Sequence, residues 1–162
     1  MAYSRILRRL REEKTNYGKR RTMLMGKRNF ATVVISNENT QVQVLRPEMT
    51  GDRVVASAHS RILLKNGWKG SRKSIPAAYL TGYMAGKRAL LSGTGDAILY
   101  TGTRRYTQRT AAAVKGMADA GLEVPADPET FPPDERINGE HLAVKNDVQS
   151  FKSFVDREVA GQ

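Results

Sequence analysis

The segment "FATVVISNENTQVQVLRPEMTGDRVVASA", residues 30–58, decides the fold. "FATVVIS" (30–36) is β-rich and apolar on both alternating faces, "QVQVLR" (41–46) alternates apolar and polar, and "RVVASA" (53–58) supplies a third strand. The links "NEN" and "PEMTGD" are turn chemistry, so an antiparallel meander is expected. Downstream, Pro76 suits the first turn of a helix and opens "PAAYLTGYMAGKRALL" (76–91). "AILY" (97–100) reads as a short central strand covered on both faces. A second helix runs from about Thr110 to Ala120 and stops at Gly121, as a glycine just past a helix end would stop it. The order β-β-β-α-β-α predicts an α/β fold: a layered mixed sheet with helices against it and short terminal helices.

A chain of 162 residues with 40% hydrophobic content can bury one core. It divides into a basic arm over 1–29, an α/β core over 30–124, and a Pro-containing link with an acidic helical segment over 125–162. The formal charge is +11 and the pI is near 10.2, which favours a polyanionic partner. The charge is uneven: +8 over residues 1–29, +9 over 30–115 and −6 over 116–162. A polyanion would meet the first two sections, and the last would face solvent or a basic protein. Cysteine is absent, so disulfides, thiol catalysis and cysteine-based zinc sites are excluded. No apolar run approaches the roughly 20 residues that span a bilayer, and the N-terminus lacks the apolar core of a signal peptide. A soluble, intracellular protein with no membrane partner is expected.

Apparent catalytic signals weaken on inspection. "GYMAGK" (82–87) has glycine spacing one residue short of a phosphate-binding loop and lies inside a helix. "GTG" (93–95) lacks the third glycine and the preceding strand of a dinucleotide fingerprint. His59 reads as a satisfied strand-end residue and His141 as a surface residue, so neither a metal nor a cofactor is expected. The element order matches a ribonuclease-H-like nuclease, but such a site needs clustered carboxylates on neighbouring strands. "FATVVIS", "QVQVLR" and "AILY" contain none, so no catalytic residue and no enzyme is expected. The small residues Ala78, Gly82, Ala85, Gly86 and Ala89 share one face of the first helix and are expected to pack tightly on the sheet.

Three cationic patches remain. The arm holds Arg5, Arg8, Arg9, Arg11, Lys14, Lys19, Arg20, Arg21, Lys27 and Arg28 around Tyr17. Its first part, "RILRRLREE" (5–13), is a short helix at best. Within "TNYGKRRTMLMGKR" (15–28), the glycines and missing apolar periodicity argue against a helix that is stable alone. Met23, Leu24 and Met25 would anchor this stretch to the core, leaving Lys19, Arg20, Arg21, Lys27 and Arg28 for phosphate. "NGWKGSRKS" (66–74) sets Trp68 among Lys69, Arg72 and Lys73; "GTRRYTQRT" (102–110) places Arg104, Arg105 and Arg109 near a helix N-terminus. Cations neutralise phosphates and planar rings stack on unpaired bases, so all three patches are candidates for RNA.

"KTNY" with its basic flanks, "SAHS", "GWKG", "PAAYLTGYMAG", "KGMADAGLEVP" and "ERINGEH", in this order and spacing, resemble the archaeal and eukaryotic type of the universal large-subunit ribosomal protein eighteen, the 5S rRNA-binding family. The likeness runs from about Arg8 to about Val144. It implies a ribonuclease-H-like core used without catalysis, a basic extension on RNA, and a structural place in the central protuberance of the cytoplasmic large subunit. It also implies 5S rRNA, 23S rRNA and neighbouring subunit proteins, including the other universal 5S-binding protein, as partners. By position, Arg8, Arg9, Arg11, Lys14 and Tyr17 fall in the family's arginine-rich arm and Arg109 on its basic residue ahead of the second helix. The chain departs from the pattern at Glu38, which stands in place of a cation, and at Thr107, Gln108 and Ala111 around Arg109. A general basic nucleic-acid binder and a ribonuclease-H-like nuclease are the alternatives.

Overall fold

In the computed structural model, which describes residues 8–144 and 146–160, the meander forms as the alternation requires. Strands β1 (Phe30–Ile35), β2 (Thr40–Glu48) and β3 (Gly51–His59) are antiparallel, and β4 (Ile98–Leu99) lies parallel to β1, giving the order β3-β2-β1-β4. The fold is therefore a mixed α/β fold on a four-stranded mixed sheet. Register pairs Ala31 with Val44 and Val33 with Val42, then Val44 with Ala56 and Val42 with Ala58. Side chains alternate across a strand, so these six share one face, and all six are buried.

β2 and β3 run further than their apolar alternation. Only Met49 and Thr50 separate the paired Glu48 and Gly51, and the ladder continues through Pro47. Pro47 is tolerated because β1 starts at Phe30, opposite Leu45, so no β1 partner reaches as far as Pro47. One residue of β3, Val55, is extra: Val44 pairs with Ala56 but Leu45 pairs with Val54, a β-bulge.

Helix α3 (Ile75–Leu91) starts at Ser74, whose Oγ accepts from the Ala77 N–H, with Pro76 in the first turn. It packs on β2 and β3. Helix α4 (Gln108–Asp119) starts at Thr107, whose hydroxyl accepts from the Thr110 N–H, and closes at Gly121 with φ +100°. The glycines of that small-residue face, Gly82 and Gly86, meet α4 rather than the sheet, which corrects the expected partner for these two positions. A Cβ on Gly82 would run into the Ala113 carbonyl, and one on Gly116 into the Tyr79 carbonyl. A Cβ on Gly86 would come within 2.8 Å of that of Ala120. The glycines thus let two helix backbones touch.

After the link, α5 (Asp134–Asn138) and α6 (Val148–Ala160) return to the core. Val148, Phe151, Val155 and Val159 of α6 are buried, and the helix lies on α3 and on a 3₁₀ segment, Ser60–Asn66. Several acids of this segment pair with cations of the core at the surface. Asp134 pairs with Lys115, Asp156 with Lys87, and Glu158 with Lys65, while Asp156 also accepts from the Tyr83 hydroxyl. Burial, and then the bond donated to Asp119, pushes the Tyr79 hydroxyl well up, so it stays a donor across the physiological range. His59 accepts the Arg61 N–H through Nδ1, a strand-end cap.

Candidate nucleic-acid interface

The arm begins with α1 (Arg8–Arg11) and continues into α2 (Tyr17–Met25). Arg5 lies outside the described residues. The stretch expected not to be stable as a helix alone is helical here because Asn16 caps it, accepting the Lys19 N–H at 2.9 Å, and because the core holds it. The hold comes chiefly from polar groups: of the expected Met23-Leu24-Met25 anchor only Met23 is half-buried, while Leu24 is 39% and Met25 76% exposed. Arg20 donates to both carboxylate oxygens of Asp52, with Nη1 at 2.9 Å from Oδ2, and Lys19 Nζ donates to Thr101 Oγ1 at 3.0 Å. The Arg20 guanidinium carbon also lies 5.6 Å from the ring centroid of Phe30 and 5.9 Å from that of Tyr100. Those rings stack on each other at 5.3 Å. The Asp52 bond, chiefly, holds the guanidinium still more firmly protonated than usual. Arg20 is accordingly a structural joint, which corrects its expected place on phosphate.

The second patch changes character as well. The Trp68 ring is 5% exposed and packs edge-on against Phe151, with centroids 5.1 Å apart. It is a core residue, because α6 covers it, and cannot offer a face to a base in this fold. Below the ring, Asn146 clamps the loop: it accepts the Lys69 N–H at 3.1 Å and donates to the Lys69 carbonyl at 2.7 Å. Arg72 donates to Glu38 at 3.1 Å, so the acid that departs from the family pattern offsets that cation. Lys69 is exposed and Lys73 half-buried.

The third patch stands as the sequence arranged it. Arg104, Arg105 and Arg109 are all exposed, in the loop before α4 and its first turn. Arg104 and Arg105 line an open hollow of about 350 Å³ with Thr101, Thr107 and Thr110, floored by Val33 and Ile35. Arginine side chains close to a helix N-terminus suit an oxyanion, with Thr107 already taking the Thr110 N–H.

The arm's remaining cations divide by partner. Arg8 and Lys14 share Glu12, whose carboxyl is held low by the Lys14 and then the Arg8 bond, and Arg9 donates to Thr15. Arg28 lies 3.9 Å from Glu123, a loose pair. Among the described residues, Arg11, Arg21, Lys27, Lys69, Lys73, Arg104, Arg105 and Arg109 enter no ion pair. Tyr17 is 41% exposed on the first turn of α2.

Sequence reasoning missed Arg46 and Arg53, exposed and opposite each other on β2 and β3. It also missed Asp52 as the anchor of α2. A signal existed: between residues 30 and 115 the only acids are Glu38, Glu48, Asp52 and Asp96. So few carboxylates in a basic section are worth pairing with particular cations, and two of the four are paired.

Taken together, the fold and its surface define a class: a small α/β protein whose unpaired cations sit in separate patches. Among the described residues, no three His, Asp or Glu side chains are grouped to share a metal ion. The family model of ribosomal large subunit proteins 60S L5 and 50S L18 matches residues 2–107. The large ribosomal subunit protein uL18 of Aeropyrum pernix is 48% identical over 140 residues, covering 85% of this chain and 65% of its own length. Those of Thermofilum pendens and Methanothermobacter thermautotrophicus are 44% and 41% identical over 139 and 142 residues, covering 71% and 74% of their lengths. The chain thus spans about two thirds of the first of these relatives. It belongs to the uL18 family of large-subunit ribosomal proteins.

Proposed function

We propose that the protein is a structural, non-enzymatic constituent of the cytoplasmic large ribosomal subunit that binds 5S rRNA and helps attach it to 23S rRNA in the central protuberance. The carrying observation is the set of exposed, unpaired arginines and lysines in three separate places, on a family whose members are named for the large subunit. The mechanism is charge neutralisation with shape recognition. α2 is already folded and docked through Arg20 and Asp52, so it presents Arg21 on a rigid rod, with Lys27 in the turn just past its end, instead of threading as a loose chain. The strand order, with β4 parallel to β1 and helices after β3 and β4, supports a ribonuclease-H-like layering. The hydrolytic version of that fold is disfavoured because Asp52, a carboxylate on the sheet, is occupied by Arg20. A general basic binder would take duplex DNA as readily as 5S rRNA. Competition between the two at matched salt tests the reading, with co-sedimentation of the protein with large subunits and a free 5S particle as the cellular counterpart.

A further inference from the structure

The β2–β3 hairpin carries two local costs at one place. Continuing the register of Gln41–His59 through Val44–Ala56 would set Arg46 opposite Val54. The bulge at Val55 shifts the ladder by one and sets Arg46 opposite Arg53 instead. Like charges directly opposite are destabilising, and a bulge disrupts the ladder, though bulges recur where a side chain must be re-aimed. Both arginines are exposed, and neither enters an ion pair among the described residues. Asp52, next to Arg53 in sequence, is committed to Arg20, and Glu48 pairs with neither arginine. Directly opposed residues have Cα atoms about 4.5–5.5 Å apart, so two guanidinium forks can close on a single phosphate.

We propose that Arg46 and Arg53 form a clamp for an RNA phosphodiester, distinct from the contacts along α2. Successive residues of a strand point to opposite faces, so Asp52, which holds α2, and Arg53 face away from each other. The arm therefore occupies one face of the hairpin and the clamp the other. RNA is the occupant because the complement required is a compact doubly hydrogen-bonding anion and the section that carries the clamp, residues 30–115, is itself strongly cationic at +9. The clamp rests on the rRNA-binding reading and extends it to a second face.

The test uses the full chain with an equimolar mixture of 5S and 23S rRNA transcripts. The double variant Arg46→Gln/Arg53→Gln should lower the slope of log affinity against log salt by about one to two units. It should melt no lower than the parent, since a repulsion has been removed. Glu48→Gln should tighten binding, because it deletes the one carboxylate on that face of β2. With no cysteine in the chain, Met49→Cys at the hairpin turn gives a unique tether for an iron–EDTA radical source, and Met25→Cys at the end of α2 gives a second. Cleavage at different RNA positions from the two tethers is expected. An unchanged slope in the double variant, or cleavage from the α2 tether alone, would overturn the clamp and leave the rRNA reading standing. A lower melting point with an unchanged slope would make the pair structural. Absence of salt-dependent binding by the parent would overturn both.

Discussion

Arg20 on α2 and Asp52 at the start of β3 form a two-pronged ion pair, and the guanidinium lies beside the stacked Phe30 and Tyr100 rings. Their side chains are 23% and 21% exposed, so the pair is partly shielded from water. Its consequence is mechanical: the orientation of the arm is set before any polyanion arrives. Arg20→Ala and Asp52→Ala should each destabilise by about 1.5–3 kcal/mol, the range for hydrogen bonds to charged groups. The double variant should cost clearly less than the two together. Denaturant titration of the four proteins checks this, and strict additivity would show that the pair does not couple α2 to the hairpin.

Arg21, the next residue, should behave in the opposite way. It is exposed and enters no ion pair among the described residues, so Arg21→Ala should change stability by less than about 0.5 kcal/mol. Its effect should appear in the salt dependence of RNA binding, lowering the slope by about one unit. A filter-binding titration over a salt series separates the neighbours.

Trp68 gives an optical test. As the only tryptophan, buried against Phe151, it should emit at short wavelength and be insensitive to added RNA, and its signal should shift red together with global unfolding. Trp68→Ala should cost about 3–5 kcal/mol. Quenching by RNA without unfolding would place the ring on the surface.

The α3–α4 contact predicts intolerance at two glycines. Gly82→Ala and Gly116→Ala would each push a methyl group into a backbone carbonyl, which neither helix can move without opening the interface. A loss on the order of 3 kcal/mol is expected for each. Gly95→Ala, where an added Cβ meets nothing within 4 Å, is the control.

The Asp134–Lys115 pair sets a pH dependence. Lys115 holds the Asp134 carboxyl below its ordinary value of 3.8, so the native state binds a proton less readily than the unfolded chain. The contribution is present above that value and disappears as pH falls through the lower folded one. Asp134→Asn should flatten the acid limb of a stability–pH curve below about pH 4 and leave the region above pH 6 parallel to the parent. An acid limb of unchanged steepness would show that the pair is too solvated to matter.

The strands and helices were legible because apolar alternation, Pro76 and Gly121 are local signals, except that "AILY", expected as a central strand, forms the two-residue edge strand β4. The partner of the small-residue face was not, since Gly82 and Gly116 carry no mark of which element will approach them. The third cationic patch was legible because Arg104, Arg105 and Arg109 lie within one loop and the following turn. Arg20 and Trp68 were misread for a shared physical reason: their neighbours in sequence are cations, but Asp52 and Phe151, distant in sequence, take them into the structure. Arg46 and Arg53 escaped because a single extra residue, Val55, decides that they face each other.

Competition of 5S rRNA against duplex DNA of equal length, at matched salt, tests the proposed function most directly. A preference of at least about tenfold for folded 5S rRNA is expected, because charge alone supplies only the non-specific part of binding and shape supplies the rest. Equal affinity for the two would contradict it and leave a general basic binder.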